Sequence, residues 1–376
     1  MKSLSPLQPL FIIFILISLS TEEALSQKKW AFPREGYSYQ FPRDHGSHPD
    51  YKIEWWYITG HMESAEDQFG FESTFFRIGQ EKTNDIHLAH MAITDVKNQA
   101  FYHEERLNKE GWNAFSESGD LDLKNGNWTL KRSVNNEFML NFSVKADYLI
   151  KLKLTPKKQQ VIFGENGISK KGHAETAASH YITFSRLDVS GTITSSKKDI
   201  PVSGSAWMDH EISSSQLDEN QVGWDWVSVQ LDDNREIMAY ILRNKDGSIS
   251  NFSKLVWVGE NGELTHQGPE AFKCIQNGKY KSKETGAVYP INPSFITTDP
   301  KNKNKRKFTI IPLMDEQEIP GKIGGVPYWE GACKVANEKG KIIGKAYLEL
   351  EFVAGKYTNR NRVFDELNEP KFERQQ

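Results

Sequence analysis

Three short runs in this sequence concentrate groups that could do chemistry. Trp207-Met208-Asp209-His210-Glu211 places two carboxylates around an imidazole, with Ser213, Ser214, Ser215 and Gln216 just beyond. Gly223-Trp224-Asp225-Trp226 sets another carboxylate between two indoles, and Glu54-Trp55-Trp56-Tyr57 puts one beside three rings. A carboxylate next to an imidazole does acid–base work when partial burial moves its pKa toward neutrality. Indole faces can line an apolar cavity and stabilise a developing cation. The same residues also suit a packed core, with Trp side chains filling space and acids closing turns or pairing with Arg. Adjacent rings on a strand point to both faces, so one face of the 54–57 run packs inward and the other meets a second layer or a ligand.

Nine of the ten histidines lie between His45 and His210, including the H-x-x-H pairs His45/His48 and His87/His90. That spacing shares one face on a helix but splits across both faces of a strand. The run from His87 to Ile93 reads as a strand, which argues against chelation by that pair. A metal site gathered from distant histidines and a hydrogen-bonded polar layer both fit the pattern. Two cysteines leave no thiolate set for structural zinc. There is no G-x-S-x-G elbow, P-loop, G-x-G-x-x-G or H-E-x-x-H motif. The expectation is therefore a site with no cofactor and no metal.

Strands must position these groups. Phe138, Leu140, Phe142, Val144 and Ala146 alternate with mostly polar residues, as do Ile150, Leu152 and Leu154 with lysines. Ala346, Leu348, Leu350 and Phe352 repeat the pattern near the C-terminus. Period two marks a half-buried strand. Asn125-Gly126, Asp246-Gly247, Asn261-Gly262 and Asn277-Gly278 are hairpin signals, because these pairs accept positive φ. No long stretch has a helical period, so the predicted class is all-β, a sandwich or barrel. At about 150 residues per domain the chain suits two β domains better than one. The balance of 47 Lys+Arg against 50 Asp+Glu leaves a net charge of −3, which excludes a nucleic-acid footprint. The 10 Trp, 13 Tyr and 21 Phe argue against disorder.

Residues 1–26 read as a secretory signal: Lys2, an apolar run through Phe11-Ile12-Ile13-Phe14-Ile15-Leu16-Ile17, and a small-x-small site at Ala24-Leu25-Ser26. The expected location is secreted or periplasmic. Membrane contact stays open, but no other segment is apolar enough to span a bilayer. In an oxidising space Cys274 and Cys333 either pair or remain two buried thiols. Sequons begin at Asn127, Asn141 and Asn251.

Several ordered motifs resemble one family. Glu54-Trp55-Trp56-Tyr57-Ile58-Thr59-Gly60-His61 looks like its opening E-W-W-Y-x-T-G-H, and Leu88-Ala89-His90 with Thr94-Asp95 like its L-A-H…T-D element. Ala206-Trp207-Met208-Asp209-His210-Glu211 with the serines, Gln216 and Leu217 resembles W-M-D-x-E…S-x-Q-L. Gly223-Trp224-Asp225-Trp226, Tyr328-Trp329-Glu330-Gly331 and the run from Gly344 to Leu350 resemble later motifs. The family is the hydroxyneurosporene synthase or carotenoid 1,2-hydratase (CrtC/AttH-like) group, in its secreted, lipocalin-like branch often labelled as predicted hydrolases. The resemblance covers about residues 45–352. It implies two lipocalin-like antiparallel β-barrels packed together, 27–230 and 231–376, with an apolar pocket for a long hydrophobic molecule.

For hydration of an alkene, the resemblance implies a protonated Asp209 or Asp225 as the acid, with His210 positioning it and Glu211 beside them. Trp207, Trp224, Trp226 and Tyr240 would wall the cation, and Glu54, Trp55 and Trp56 would contact substrate. The chain departs from the hydratase branch at Ile212, where that branch has Trp, and at Leu242, where it has Asp. Three functions follow. One is a secreted protein that binds an isoprenoid or lipid-like ligand and hydrates or cyclises it without a cofactor. The others are a non-catalytic carrier of such ligands, and a hydrolase using Ser213, Ser214 or Ser215 near His210.

Overall fold

The protein is described by a computed structural model over residues 30–351, apart from Lys82, Ala146, Gln216 and residues 324–326. The signal expected over 1–26 and the chain beyond Glu351 lie outside the described residues. Among the described residues there is no α-helix, only a 3-10 turn at Arg43–His45.

The chain is strand after strand, as its alternation predicts. The first half supplies β1 (Ile53–Glu63), β2 (Gln68–Ile78), β3 (Ile86–Asp95), β4 (Ala100–Lys109), β5 (Ala114–Ser116), β6 (Asp122–Asn125) and β7 (Trp128–Arg132). It continues through β8 (Phe138–Val144), β9 (Tyr148–Pro156), β10 (Val161–Phe163), β11 (Ser169–Lys170), β12 (Ala178–Ser195) and β13 (Lys198–Ser215). These thirteen strands form one antiparallel sheet with β1 hydrogen-bonded between β2 and β13. Side chains draw its ends into a barrel: Asn108 Nδ2 donates to Asn125 Oδ1 at 2.6 Å, and Arg106 lies 3.7 Å over the Trp128 ring.

The second half supplies β14 (Gln221–Leu231), β15 (Glu236–Asn244), β16 (Lys254–Val258), β17 (Leu264–Gln267), β18 (Lys273–Ile275), β19 (Tyr280–Lys281) and β20 (Val288–Tyr289). Then come β21 (Ser294–Thr298), β22 (Lys305–Pro312), β23 (Glu318–Ile319), β24 (Tyr328–Ala336) and β25 (Ile342–Glu351). Ten of them make the second, half-barrel sheet, and β19–β20 form a separate hairpin. The chain changes sheet between Ser215 and Gln221, ahead of the division expected after residue 230.

Burial patterns show which strands are covered on both sides. β8 and β9 alternate buried and more exposed residues, because their outer faces meet water. β3 is buried at every position, and β13 over its C-terminal half. Those strands face the barrel interior on one side and the second sheet on the other. Each sheet has its own apolar core, and a third cluster around Tyr57, Tyr181, Trp207, Trp226 and Tyr240 lies between them. Gly70 permits that contact, since a Cβ there would sit 2.4 Å from the Cβ of Ala332.

Turn chemistry holds at Gly126, Gly247 and Gly262, with φ of 66°, 83° and 89°. Gly278 is not among the residues with positive φ. Cys274 and Cys333 are free thiols, so the expectation of a possible bridge is not realised.

Candidate functional site

The register of β1 against β13 sets Trp55 opposite Glu211, Trp56 opposite His210 and Tyr57 opposite Asp209. Alternation then divides these six side chains between the two faces. Trp55, Tyr57, Asp209 and Glu211 point away from the barrel interior. They meet Trp224, Trp226, Tyr240 and Leu242 from β14 and β15, and Tyr328, Glu330 and Glu349 from β24 and β25, around one cleft. The cleft holds about 650 Å³ of space including its mouth. It is narrow as it stands, and its lining is mainly rings.

Asp209 is 2% exposed. Its Oδ1 accepts from the Thr183 hydroxyl at 2.6 Å and the Trp207 indole N–H at 2.7 Å, and its Oδ2 accepts from the Tyr181 hydroxyl at 2.7 Å. The Tyr181 oxygen in turn accepts from the Trp226 indole at 3.1 Å. Burial pushes the Asp209 carboxyl up to about 7, against the opposing pull of those hydrogen bonds. Its proton is therefore held far more tightly than that of an ordinary carboxyl. A proton on Oδ2 would face the Tyr181 oxygen, and Tyr181 itself lines the cleft.

Glu211 is held by the Lys171 ammonium and the Ser179 hydroxyl. The Lys171 ammonium lies 5.3 Å from the Tyr181 ring centre, 5.7 Å from Trp55 and 5.9 Å from Tyr240. One alkylammonium of the chain thus already sits among the aromatic walls.

Glu54, Trp56 and His210 point into the first barrel instead, away from the cleft. Glu54 Oε1 accepts from His48 Nδ1 at 2.7 Å and His210 Nε2 at 2.8 Å, while Oε2 accepts from the His48 backbone N–H at 2.8 Å and Arg77 Nε at 3.2 Å. His48 Nε2 reaches Asp44 at 3.1 Å, and the Trp56 ring stacks on His210 with centroids 4.6 Å apart. Burial alone would raise Glu54, but the His48 and His210 imidazoles outweigh it and hold the carboxyl well below its ordinary range. Burial opposes protonation of His48, yet Glu54 and Asp44 hold its pKa above the usual value. His210 goes the other way, lowered by burial despite Glu54.

His48, Glu54 and His210 are the described residues grouped closely enough to hold a metal ion. Their geometry fits protons better. One nitrogen of each imidazole is at hydrogen-bond distance from Glu54, and the Arg77 guanidinium adds a positive charge beside the same carboxylate.

The sequence expectation that Asp209, His210, Glu211 and Asp225 act together is corrected by alternation. Asp225 faces the second barrel, 2.9 Å from Arg243, and burial raises its carboxyl against that charge. Trp207 does not line the cleft and acts on Asp209 from the side. The hydrolase geometry is not met at Ser213 or Ser214, whose hydroxyls donate to the Ala178 and Ala31 carbonyls, while His210 Nε2 is engaged with Glu54.

Tyr57, Lys171, Tyr181, Glu330 and Glu349 were missed as site residues. Tyr57, Glu330 and Glu349 fall inside recognised motifs, so the period-two rule applied to those motifs could have found them. Lys171 and Tyr181 lie in no motif, and only the fold brings them to the cleft.

The sequence profile of the AttH-like family matches residues 33–352. A crystal structure of a protein assigned as AttH from Nitrosomonas europaea is similar, with 33% identity and a TM-score of 0.78 over 85% of this chain and 99% of that chain. Kievitone hydratase from Nectria haematococca shares the fold at 12% identity, with a TM-score of 0.63 over 87% of this chain and 99% of that one. No curated protein sequence matches.

Proposed function

The chain belongs to the AttH-like family, and on that premise we propose that it binds a hydrophobic, isoprenoid or lipid-like molecule in the inter-sheet cleft and hydrates or cyclises it by cofactor-free acid–base chemistry. The observation that carries this reading is Asp209: a buried carboxyl with pKa about 7, hydrogen-bonded to a phenol that lines an aromatic cleft. A name such as kievitone hydratase fits the reading, but at 12% identity that likeness shows the fold alone. The location proposed for this activity is outside the cytoplasm, from the leader read in residues 1–26.

The chemistry balances with residues of this chain. Tyr181 gives its hydroxyl proton to an alkene carbon while the Asp209 carboxyl reprotonates the phenol. The cationic carbon left behind is faced by rings of the cleft. In hydration, water adds its oxygen to that carbon and releases a proton that returns to the Asp209 carboxylate. In cyclisation, a second alkene adds instead, and loss of a proton restores Asp209.

The test begins with gentle purification and native mass spectrometry to find a retained ligand. That ligand is then incubated with the protein in ¹⁸O-water. The expected product gains the mass of one labelled water, or an isomer of unchanged mass forms, and Asp209→Asn and Tyr181→Phe retain the ligand without converting it. A retained ligand that wild type leaves unchanged would make the protein a carrier. Undiminished conversion by Asp209→Asn would sink the assignment of the acid.

A further inference from the structure

We propose that a small polar chamber next to the cleft binds the water that adds in the reaction, held by Thr59, His61 and Tyr347. The inference rests on the cleft being the site of the chemistry proposed above, and it selects hydration over cyclisation.

The chamber continues the cleft along the same four strands. Tyr57 on β1, Asp209 on β13, Trp226 on β14 and Glu349 on β25 line the cleft. Thr59, Trp207, Ser228 and Tyr347, each two residues away on the same strand, line the chamber. The register pairs Thr59 with Trp207 and Ser228 with Tyr347, as it pairs Tyr57 with Asp209 and Trp226 with Glu349. Residues two apart on a strand share a face and lie about 7 Å from each other. The chamber is thus the next layer of the same space between the sheets. Trp207 joins the layers, because its ring borders the chamber while its indole N–H donates to Asp209 Oδ1 at 2.7 Å.

The chemistry of the chamber suits water. Thr59, His61 and Tyr347 are at most 3% exposed, and Thr59 Oγ1, His61 Nδ1 and the Tyr347 hydroxyl have no hydrogen-bond partner among the described residues. Buried polar atoms without a protein partner are ordinarily satisfied by ordered water. His61 Nε2 donates to the Ala346 carbonyl at 2.9 Å, so Nδ1 presents a lone pair. Burial pushes this imidazole down to about 4, which keeps it neutral near pH 7. An anion would meet that lone pair, and a cation would meet the Tyr347 phenol hydrogen. Water donates to the first and accepts from the second. The space is about 200 Å³ including its opening. That is the scale of a few waters, about 30 Å³ each in the liquid, and too small for a lipid-like ligand.

Polar groups lead from the chamber in both directions. Toward solvent, Lys345 lines the chamber and its ammonium pairs with the exposed Glu63 at 2.7 Å. Toward the cleft, Thr59 is the cross-strand partner of the fully buried Glu72, whose carboxyl is bonded to Thr74 in the cleft wall. In the hydration step the oxygen of the bound water bonds to the cationic carbon, and the proton it releases returns to the Asp209 carboxylate. An enzyme that cyclises must instead keep water from the cation, which water would capture before a second alkene did.

The test compares crystals of the full-length protein with those of Thr59→Val/Tyr347→Phe, which keeps the shape of the chamber and removes two hydroxyls. Wild type is expected to hold at least one ordered water bonded to two or more of the three atoms, and the variant to lose it. In ¹⁸O-water, with the ligand that co-purifies, the variant should form labelled hydrate at least about tenfold more slowly, as loss of a positioned reactant requires. It should still retain that ligand. Wild-type crystals with no water bonded to these atoms overturn the inference and leave the acid chemistry of the cleft standing. A bound water with undiminished hydration by the variant overturns its role as the reactant. A bound water in a protein that converts no ligand overturns the catalytic reading of the cleft, and the supply of water to it falls with that reading.

Discussion

Glu54 and Asp209 are both buried carboxyls, 0% and 2% exposed, on strands that pair with each other. Burial acts on both in the same direction, yet their protonation differs. Glu54 takes four donors, among them the His48 imidazolium and the Arg77 guanidinium, and stays well below the ordinary range. Asp209 takes three donors, all neutral, and rises to about 7. The charge of the donors decides the outcome. Cationic donors lock Glu54 into a structural ion cluster, whereas neutral donors hold Asp209 in place while leaving its proton exchangeable. The chemistry proposed above draws on the second arrangement.

Removing each charge in turn tests this contrast. Glu54→Gln leaves the buried His48 and Arg77 with Asp44 and Asp85 as their remaining carboxylate partners, and it should cost about 3 kcal/mol of stability. Asp209→Asn should cost far less, because its three donors are neutral and one carboxyl oxygen keeps its role as the amide carbonyl. Urea unfolding at pH 7 compares the two. Equal losses would show that the two carboxyls are held alike and would break the contrast.

The pH dependence sharpens it, because the signs are opposite. The lowered Glu54 pKa gives stability that is complete above the unfolded value of 4.5 and is lost as pH falls through the folded value. The raised His48 pKa gives stability that is complete below 6.5 and is lost as pH rises through its folded value. The inner cluster is thus strongest between those limits. Asp209 is different: its folded pKa of about 7 exceeds the ordinary 3.8, so the folded state retains a proton that the unfolded chain releases. Wild type should therefore lose stability relative to Asp209→Asn as pH rises from about 4 to about 7, by at most on the order of 4 kcal/mol, and by nothing further above that. A constant gap across this range would place the Asp209 pKa near that of an exposed acid.

The alternation of apolar residues made the all-β class legible, and the paired motifs pointed to the strands that carry the site. The adjacency of Asp209, His210 and Glu211 misled, because consecutive strand residues face opposite ways. His210 belongs with Glu54, and Asp209 with Tyr181, which lies 28 positions upstream in sequence. No spacing rule joins Tyr181 to Asp209 or Lys171 to Glu211, since these contacts depend on the pairing of β12 with β13 and on the path of the chain after β11. The second half of the cleft comes from a different sheet, and its placement follows from packing alone.

A smaller effect is expected at Lys171. Lys171→Met keeps the apolar stem against Trp55, Tyr181 and Tyr240 but removes the ammonium from Glu211. The loss should be about 1–3 kcal/mol, the cost of leaving a buried acceptor short of a donor. Glu211 would then keep the neutral Ser179 donor in place of a cationic one, and urea unfolding of the variant reads the loss. An unchanged unfolding midpoint would show that the ammonium does not hold Glu211 and would break the argument from donor charge.

The smallest stability change, about 1 kcal/mol, is expected for Tyr181→Phe, which deletes one hydrogen bond to Asp209 and the acceptor used by Trp226. Its effect on protonation is more telling. The Tyr181 hydrogen bond lowers the Asp209 pKa, so its loss should move the carboxyl further above 7 and extend the acid form to higher pH. The protonated carboxyl stretch, followed by infrared difference spectroscopy against Asp209→Asn, reports that shift directly. Turnover should nevertheless fall, because the proton would have lost its route to the cleft even as it became more abundant. A more protonated acid in a less active protein separates delivery from supply, and a variant with unchanged turnover would mean that Asp209 reaches its substrate without the phenol.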